Sequence, residues 1–211
     1  MPNSPRFPAD KGRSYKGIER ESDAVRHALG LPARGPVSAL DCMKRLRSLL
    51  VGPQSMPVAY GTMKLEPGVE GETYYNSDIR RLEIMLSEPV YSGLDNDVGE
   101  QPRPRFSFFH ELGHASLHSA ELIRLSRIPK SQAEAFMRAK YPQVADFRNV
   151  EWQANAFAGC FMMPATSLEE IRLARRLSVA EICRIFNVST RSAEIRLGVF
   201  LGRRSELLGG I

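Results

Sequence analysis

The segment from Arg105 to His118 reads R-F-S-F-F-H-E-L-G-H-A-S-L-H. His110 and His114 stand four positions apart. At 3.6 residues per turn they project from one helix face, one above the other, so their imidazoles can converge on a single ion. Glu111 is turned about 100° around the same helix. That sets its carboxylate beside such an ion rather than on it, where a general base for activated water belongs. Phe106, Phe108, Phe109, Leu112 and Leu117 make this helix, expected over Phe106–His118, largely apolar and therefore buried. Unpaired polar groups on a buried face are costly, and a metal ion removes that cost. H-E-x-x-H is the spacing in which two histidines hold zinc and the glutamate acts as base.

A catalytic zinc takes three protein ligands and keeps a fourth position open. His118 lies a further turn along, but three successive turns of a straight helix cannot wrap around one ion. The longer pattern with a third histidine also fails, because Leu117 replaces its glycine and Ala120 its histidine. The ligand must come from elsewhere. Glu151 opens E-W-Q-A-N-A-F-A on a helix expected from Val150 to Met163 and ended by Pro164. Asn155 follows one turn later, placed to hydrogen-bond the distal N–H of a ligand imidazole. Ala158 and Gly159 would let this helix approach the first closely. Glu151 equally suits a solvated acid at a helix N-terminus, where the dipole favours it, and spacing leaves both readings open. Glu121 and Asp146 are the next candidates.

Outward from these two helices the chain changes character. Residues 1–17, with Pro2, Pro5, Pro8 and several cations, read as a disordered tail. A helix is expected from Ile18 to Leu29, stopped by Gly30, and Ser38 can cap a second that carries Leu40, Met43, Leu46 and Leu50 at helical spacing. Leu46, Leu49 and Leu50 are expected in the core. Between Pro57 and Pro89, the runs Val58–Met63, Glu72–Tyr75 and Leu82–Leu86 are separated by turn signals at Pro67-Gly68 and Asn76-Ser77-Asp78, which predicts a small antiparallel sheet. Residues 91–104 form a polar loop, and a helix is expected around Ser131–Lys140. Ser167-x-x-Glu170 and Ser178-x-x-Glu181 read as capping boxes for two more helices. The fold class is α+β. The expected organisation is a tail to residue 17, a metallopeptidase domain over 18–165, and a C-terminal helical region over 166–211 packed on it.

Bulk properties narrow the function. The 211 residues are 43% hydrophobic and 25% charged, an ordinary soluble composition. A net charge of +5 permits an acidic or nucleic-acid partner without demanding one. Cys42, Cys160 and Cys183 are odd in number and widely spaced, which argues against a disulfide framework and for a reducing compartment. Neither a signal peptide nor an apolar run of about 18 residues is present, so a cytoplasmic protein is expected.

Leu177–Leu201 reads as a helix, a turn at Asn187-Val188-Ser189 and a second helix bearing Arg191 and Arg196, similar to a helix-turn-helix. The same unit can simply pack on the catalytic domain, and Glu194 on its second helix would repel phosphate. For an oxyanion the candidates are Tyr74, Tyr75, Arg105 and His118, and the strand Leu82–Leu86 is either a substrate-binding sheet edge or a plain core strand.

Taken together, R-F-S-F-F-H-E-L-G-H-A-S-L-H and E-W-Q-A-N-A-F-A-G-C-F-M-M-P, over 105–118 and 151–164, resemble the ImmA/IrrE family of zinc metallopeptidases. Met162 stands where leucine is commoner. The resemblance implies a zincin-like fold, Zn2+ held by His110, His114 and Glu151, and Glu111 as the catalytic base. It further implies an intracellular endopeptidase whose protein substrate is a DNA-binding regulator such as a transcriptional repressor. The alternative is a transcription regulator in which the zinc fold is a sensor or scaffold and the last helices bind DNA. The retained Glu111 favours the enzyme, since a purely structural site has no use for that carboxylate.

Overall fold

The computed structural model describes residues 9, 11–32, 34–94, 99–129 and 145–209. The helix expected near Ser131–Lys140 lies outside them. In chain order come α1 (Tyr15–Ala28), α2 (Ala39–Arg45), β1 (Ser48–Val51), β2 (Gln54–Thr62), β3 (Gly71–Asn76), β4 (Arg81–Leu86), α3 (Glu88–Ser92), α4 (Pro102–Leu117) and α5 (Ser119–Leu125). A short 3-10 turn at Asp146–Arg148 leads into α6 (Val150–Met162), α7 (Ala165–Ala174), α8 (Val179–Phe186) and α9 (Thr190–Leu208). The architecture is α+β.

Four strands form one sheet in the order β1-β2-β4-β3. The sheet is mixed rather than purely antiparallel: β2 and β4 run parallel, with Val58 opposite Leu82 and Thr62 opposite Leu86. The hairpin through Asn76–Arg81 folds β4 back between β2 and β3, so it meets β2 in the same sense. Alternation along β4 buries Leu82, Ile84 and Leu86 on the face toward the helices. β4 is therefore a central strand, and among the described residues β3 is the outermost strand on the side of α4.

Leu50 departs from expectation. Chain reversal at Gly52, with φ of +60°, starts β1 at Ser48, and Leu50 points outward at 79% exposure, while Leu46 remains buried. α1 begins at Tyr15, capped by Ser14, and the Ala9 and Arg13 amides donate to the carbonyls of Arg148 and Phe147 at 2.7 and 2.8 Å. These parts of the expected tail are thus paired with the chain. α4 begins four residues before Phe106, with Pro102 and Pro104 in its first turn, where a missing N–H costs nothing.

Ser167 does not cap a helix. α7 starts at Ala165 behind Pro164, and Glu19 accepts its first amide at 2.6 Å, doing the work assigned to a serine. Ser178 does cap α8, accepting from the Glu181 amide.

α4 and α6 form the centre of the core. Phe109 lies 4.9 Å from Phe161, centroid to centroid, and Phe157 stacks on Phe161. Ile182 and Phe186 of α8 and Phe200 of α9 belong to the same buried cluster. Each such side chain contributes about 1.5–3 kcal/mol by leaving water, which fixes α4 against α6 without help from the polar groups between them. Among the described residues no helix is long and apolar enough to cross a membrane.

Candidate metal centre

α4 presents His110 and His114 one turn apart, and α6 presents Glu151 from its first turn. Asn149 caps α6, accepting from the amides of Glu151 and Trp152, so the position of Glu151 is set by where that helix starts. His110 Nε2 lies 3.1 Å from His114 Nε2. Glu151 Oε2 is 3.4 Å from His110 Nε2, and its Oε1 is 3.3 Å from His114 Nε2. Among the described residues these three form the group able to hold a metal ion, with ligand atoms within 4.8 Å of one another. Donors bonded at about 2.0–2.1 Å around a tetrahedral ion would stand about 3.3 Å apart, so the observed separations fit an ion between them. The three side chains are 14%, 11% and 15% exposed, which leaves the centre open to solvent on one side. Glu121 is buried on α5 and Asp146 lies in the 3-10 turn; neither belongs to this group.

Charge within the group is mutually reinforcing. Burial alone would lower the pKa of His114, but the Glu151 carboxylate beside it reverses this and raises it. Burial pushes Glu151 up, and His114 and His110 together hold it well below the usual carboxylate range. A centre that favours both an anionic acid and a cation between its arms is suited to a metal ion.

Glu111 is buried beside the ligands. Thr73 of β3 lies with its hydroxyl 2.8 Å from Glu111 Oε2 and 3.0 Å from the Glu111 carbonyl. Gly71, also on β3, leaves room for the glutamate, since a Cβ there would stand 2.6 Å from Glu111 Cγ. Neither residue carries a motif, and only the pairing of strands brings them to α4.

Asn155 Oδ1 lies 3.1 Å from His110 Nδ1. Behind His114, His118 is fully buried, with its Nδ1 3.1 Å from His114 Nδ1 and its Nε2 3.0 Å from Gln153 Oε1. Burial and the neighbouring His114 bring the His118 pKa down to about 3. Gln153 was not singled out in the sequence, although it stands two positions after Glu151.

Several oxyanion candidates are placed elsewhere. Arg105 is buried and donates to Val37, Phe186 and Asn187 carbonyls, clamping the α8–α9 turn to α4. Tyr74 points to the opposite face of β3 from Thr73, where its hydroxyl donates to Glu83. His118 stands behind a ligand rather than before it. Tyr75 shares the face of Thr73.

The close approach expected at Gly159 occurs instead at Gly113, where a Cβ would come within 3.1 Å of Ala154; Gly159 faces Arg196 at 4.0 Å. Arg196 is itself 3% exposed, paired with Glu19 at 2.7 Å and bonded to the Met163 carbonyl. It cannot reach a DNA phosphate from there. Arg191 and Glu194 are exposed. The three cysteines are free thiols.

Comparison with known proteins supports the resemblance read from the motifs. The peptidase M78 family profile, described as an IrrE N-terminal-like domain, matches residues 96–198. No curated protein sequence matches the chain. Among solved structures, a Mycobacterium tuberculosis transcriptional regulator is similar with a TM-score of 0.46 and 14% identity, over 85% of this chain and 46% of that one. The chain thus spans less than half the length of that regulator.

Proposed function

Through residues 96–198 the chain belongs to the ImmA/IrrE family, and from that premise we propose that it is a zincin-like, zinc-dependent endopeptidase that cleaves a specific regulatory protein. The observation that carries this reading is the convergence of His110, His114 and Glu151 beside a buried Glu111. Two imidazole nitrogens and one carboxylate are the donor set of a catalytic zinc with an open position. When bound, zinc supplies Lewis acidity for activating water and polarising a carbonyl.

This chain's own residues do the rest. Glu111 accepts the proton of the attacking water and delivers it to the leaving amine. Thr73 holds the Glu111 carboxylate in place through their 2.8 Å hydrogen bond. Asn155 holds His110 through its Nδ1. Among the described residues β3 is the outer strand of the sheet beside α4, and an extended substrate can align along it by strand addition.

An open hydrolytic site in a cell must be narrow in what it cuts, and narrowness comes from contacts remote from the scissile bond. Residues 166–211 offer such a docking surface, and a transcriptional repressor is the substrate class that the family resemblance suggests. The buried Arg196 speaks for a docked C-terminal unit over one that inserts into DNA.

The test compares proteomes of cells producing the wild type or Glu111→Gln. One or a few proteins should be cleaved only by the wild type, and casein should be left almost intact. Rapid casein digestion abolished by Glu111→Gln would show a general peptidase and overturn the proposed specificity.

A further inference from the structure

Gln153 is held by two acceptors that cannot donate. Its Nε2 lies 3.1 Å from the Lys11 carbonyl and 2.8 Å from the Phe147 carbonyl. Both amide hydrogens are used there, so the amide has one orientation, with Oε1 turned toward His118. Oε1 accepts only, so His118 Nε2, at 3.0 Å, carries a hydrogen. A neutral imidazole has one N–H, which leaves His118 Nδ1 with a lone pair. That lone pair faces His114 Nδ1 at 3.1 Å, and the contact is a hydrogen bond only if His114 Nδ1 is the donor. His114 Nε2 is then left with its lone pair, directed at His110 and Glu151.

We propose that Gln153 and His118 form a hydrogen-bond relay that fixes the tautomer of His114 and so presents its Nε2 lone pair to the metal. The proposal rests on the reading of His114 as a ligand. His118 and Gln153 are positioning residues, and the relay begins at backbone carbonyls that no side-chain motion can reorient. It gives His118, which is too far along the helix to share the ion, a chemical role. The arrangement also explains why Gln153 and His118 are tolerated at full burial: each of their side-chain nitrogens and oxygens has a partner. His110 is held differently, by the more exposed Asn155. The two ligands therefore differ in how firmly their proton is placed.

Two measurements decide the matter. Long-range 1H–15N NMR of the metal-free protein, at a pH where the imidazoles are neutral, should show His114 as the Nδ1–H tautomer and His118 as the Nε2–H tautomer. His114 protonated on Nε2 would overturn the relay, and this spectrum requires no variant. In zinc competition against a chromophoric chelator, His118→Leu should bind roughly 10- to 100-fold more weakly, the usual cost of removing a partner behind a ligand. His118→Asn keeps an acceptor where Nδ1 stands and should recover most of that loss, with matched thermal melts confirming the fold. Equal affinity of the Leu variant and the wild type, or equal loss in the Leu and Asn variants, would contradict the proposal. If the wild type takes no zinc while both tautomers are as stated, the metal-centre reading fails and the relay stands.

Discussion

Gly113 on α4 lies against Ala154 on α6 so closely that an added Cβ would stand 3.1 Å from both the Cα and the carbonyl oxygen of Ala154. This contact sets the spacing between the helix that carries His110 and His114 and the helix that carries Glu151. Gly113→Val should cost about 1–3 kcal/mol by overpacking. Because the obstructing atoms are backbone, relief requires α6 to move, and zinc affinity should fall with stability. Chemical denaturation and zinc titration check this; wild-type behaviour in both would mean that the crossing does not hold the centre together.

Thr73 bonds the Glu111 carboxylate from a neighbouring strand. Thr73→Val should retain zinc and fold but lower kcat about tenfold, the equivalent of one hydrogen bond of roughly 1–1.5 kcal/mol. Thr73→Ser should restore most of it. Unchanged kcat in the valine variant would show that Thr73 does not position Glu111.

Arg196 and Glu19 are a buried pair that joins α9 to α1. Arg196→Met strands Glu19 in the core and should cost about 3–5 kcal/mol. Adding Glu19→Gln should recover part of that, because the amide removes the orphaned charge. Urea unfolding of the single and double variants measures the coupling, and additive losses would contradict it.

Asp23 has its pKa raised to about 6, by burial first and then by the neighbouring Glu19. A carboxyl that stays protonated longer when folded than when unfolded loses stability as pH rises. Here the loss falls between the unfolded value of about 3.9 and the folded value. Asp23→Asn should therefore melt higher than the wild type at pH 8, with the gap closing toward pH 4. A pH-independent difference would show that ionisation of Asp23 is not its cause.

What was legible in the sequence follows from the range of each interaction. His110, Glu111 and His114 are readable because helical periodicity alone relates them. Ser38 and Ser178 cap within their own turns. The direction of β2 against β4 is not readable, because alternation specifies which side chains face the core and says nothing of strand sense. Leu50 fits helical spacing until the turn at Gly52 claims it for a strand. An arginine on a helix reads as exposed by default, and the partner that buries Arg196 is 177 positions away. Thr73 and Gln153 acquire meaning only once β3 and the segment near Phe147 are in place around α4.

Elemental analysis of the purified wild type, Glu151→Ala and Glu111→Gln proteins decides whether α4 and α6 together hold one metal ion with Glu111 outside the ligand set. About one zinc per chain is expected in the wild type and in Glu111→Gln, with strong depletion in Glu151→Ala. Full zinc in Glu151→Ala, or loss of zinc in a folded Glu111→Gln, would contradict it.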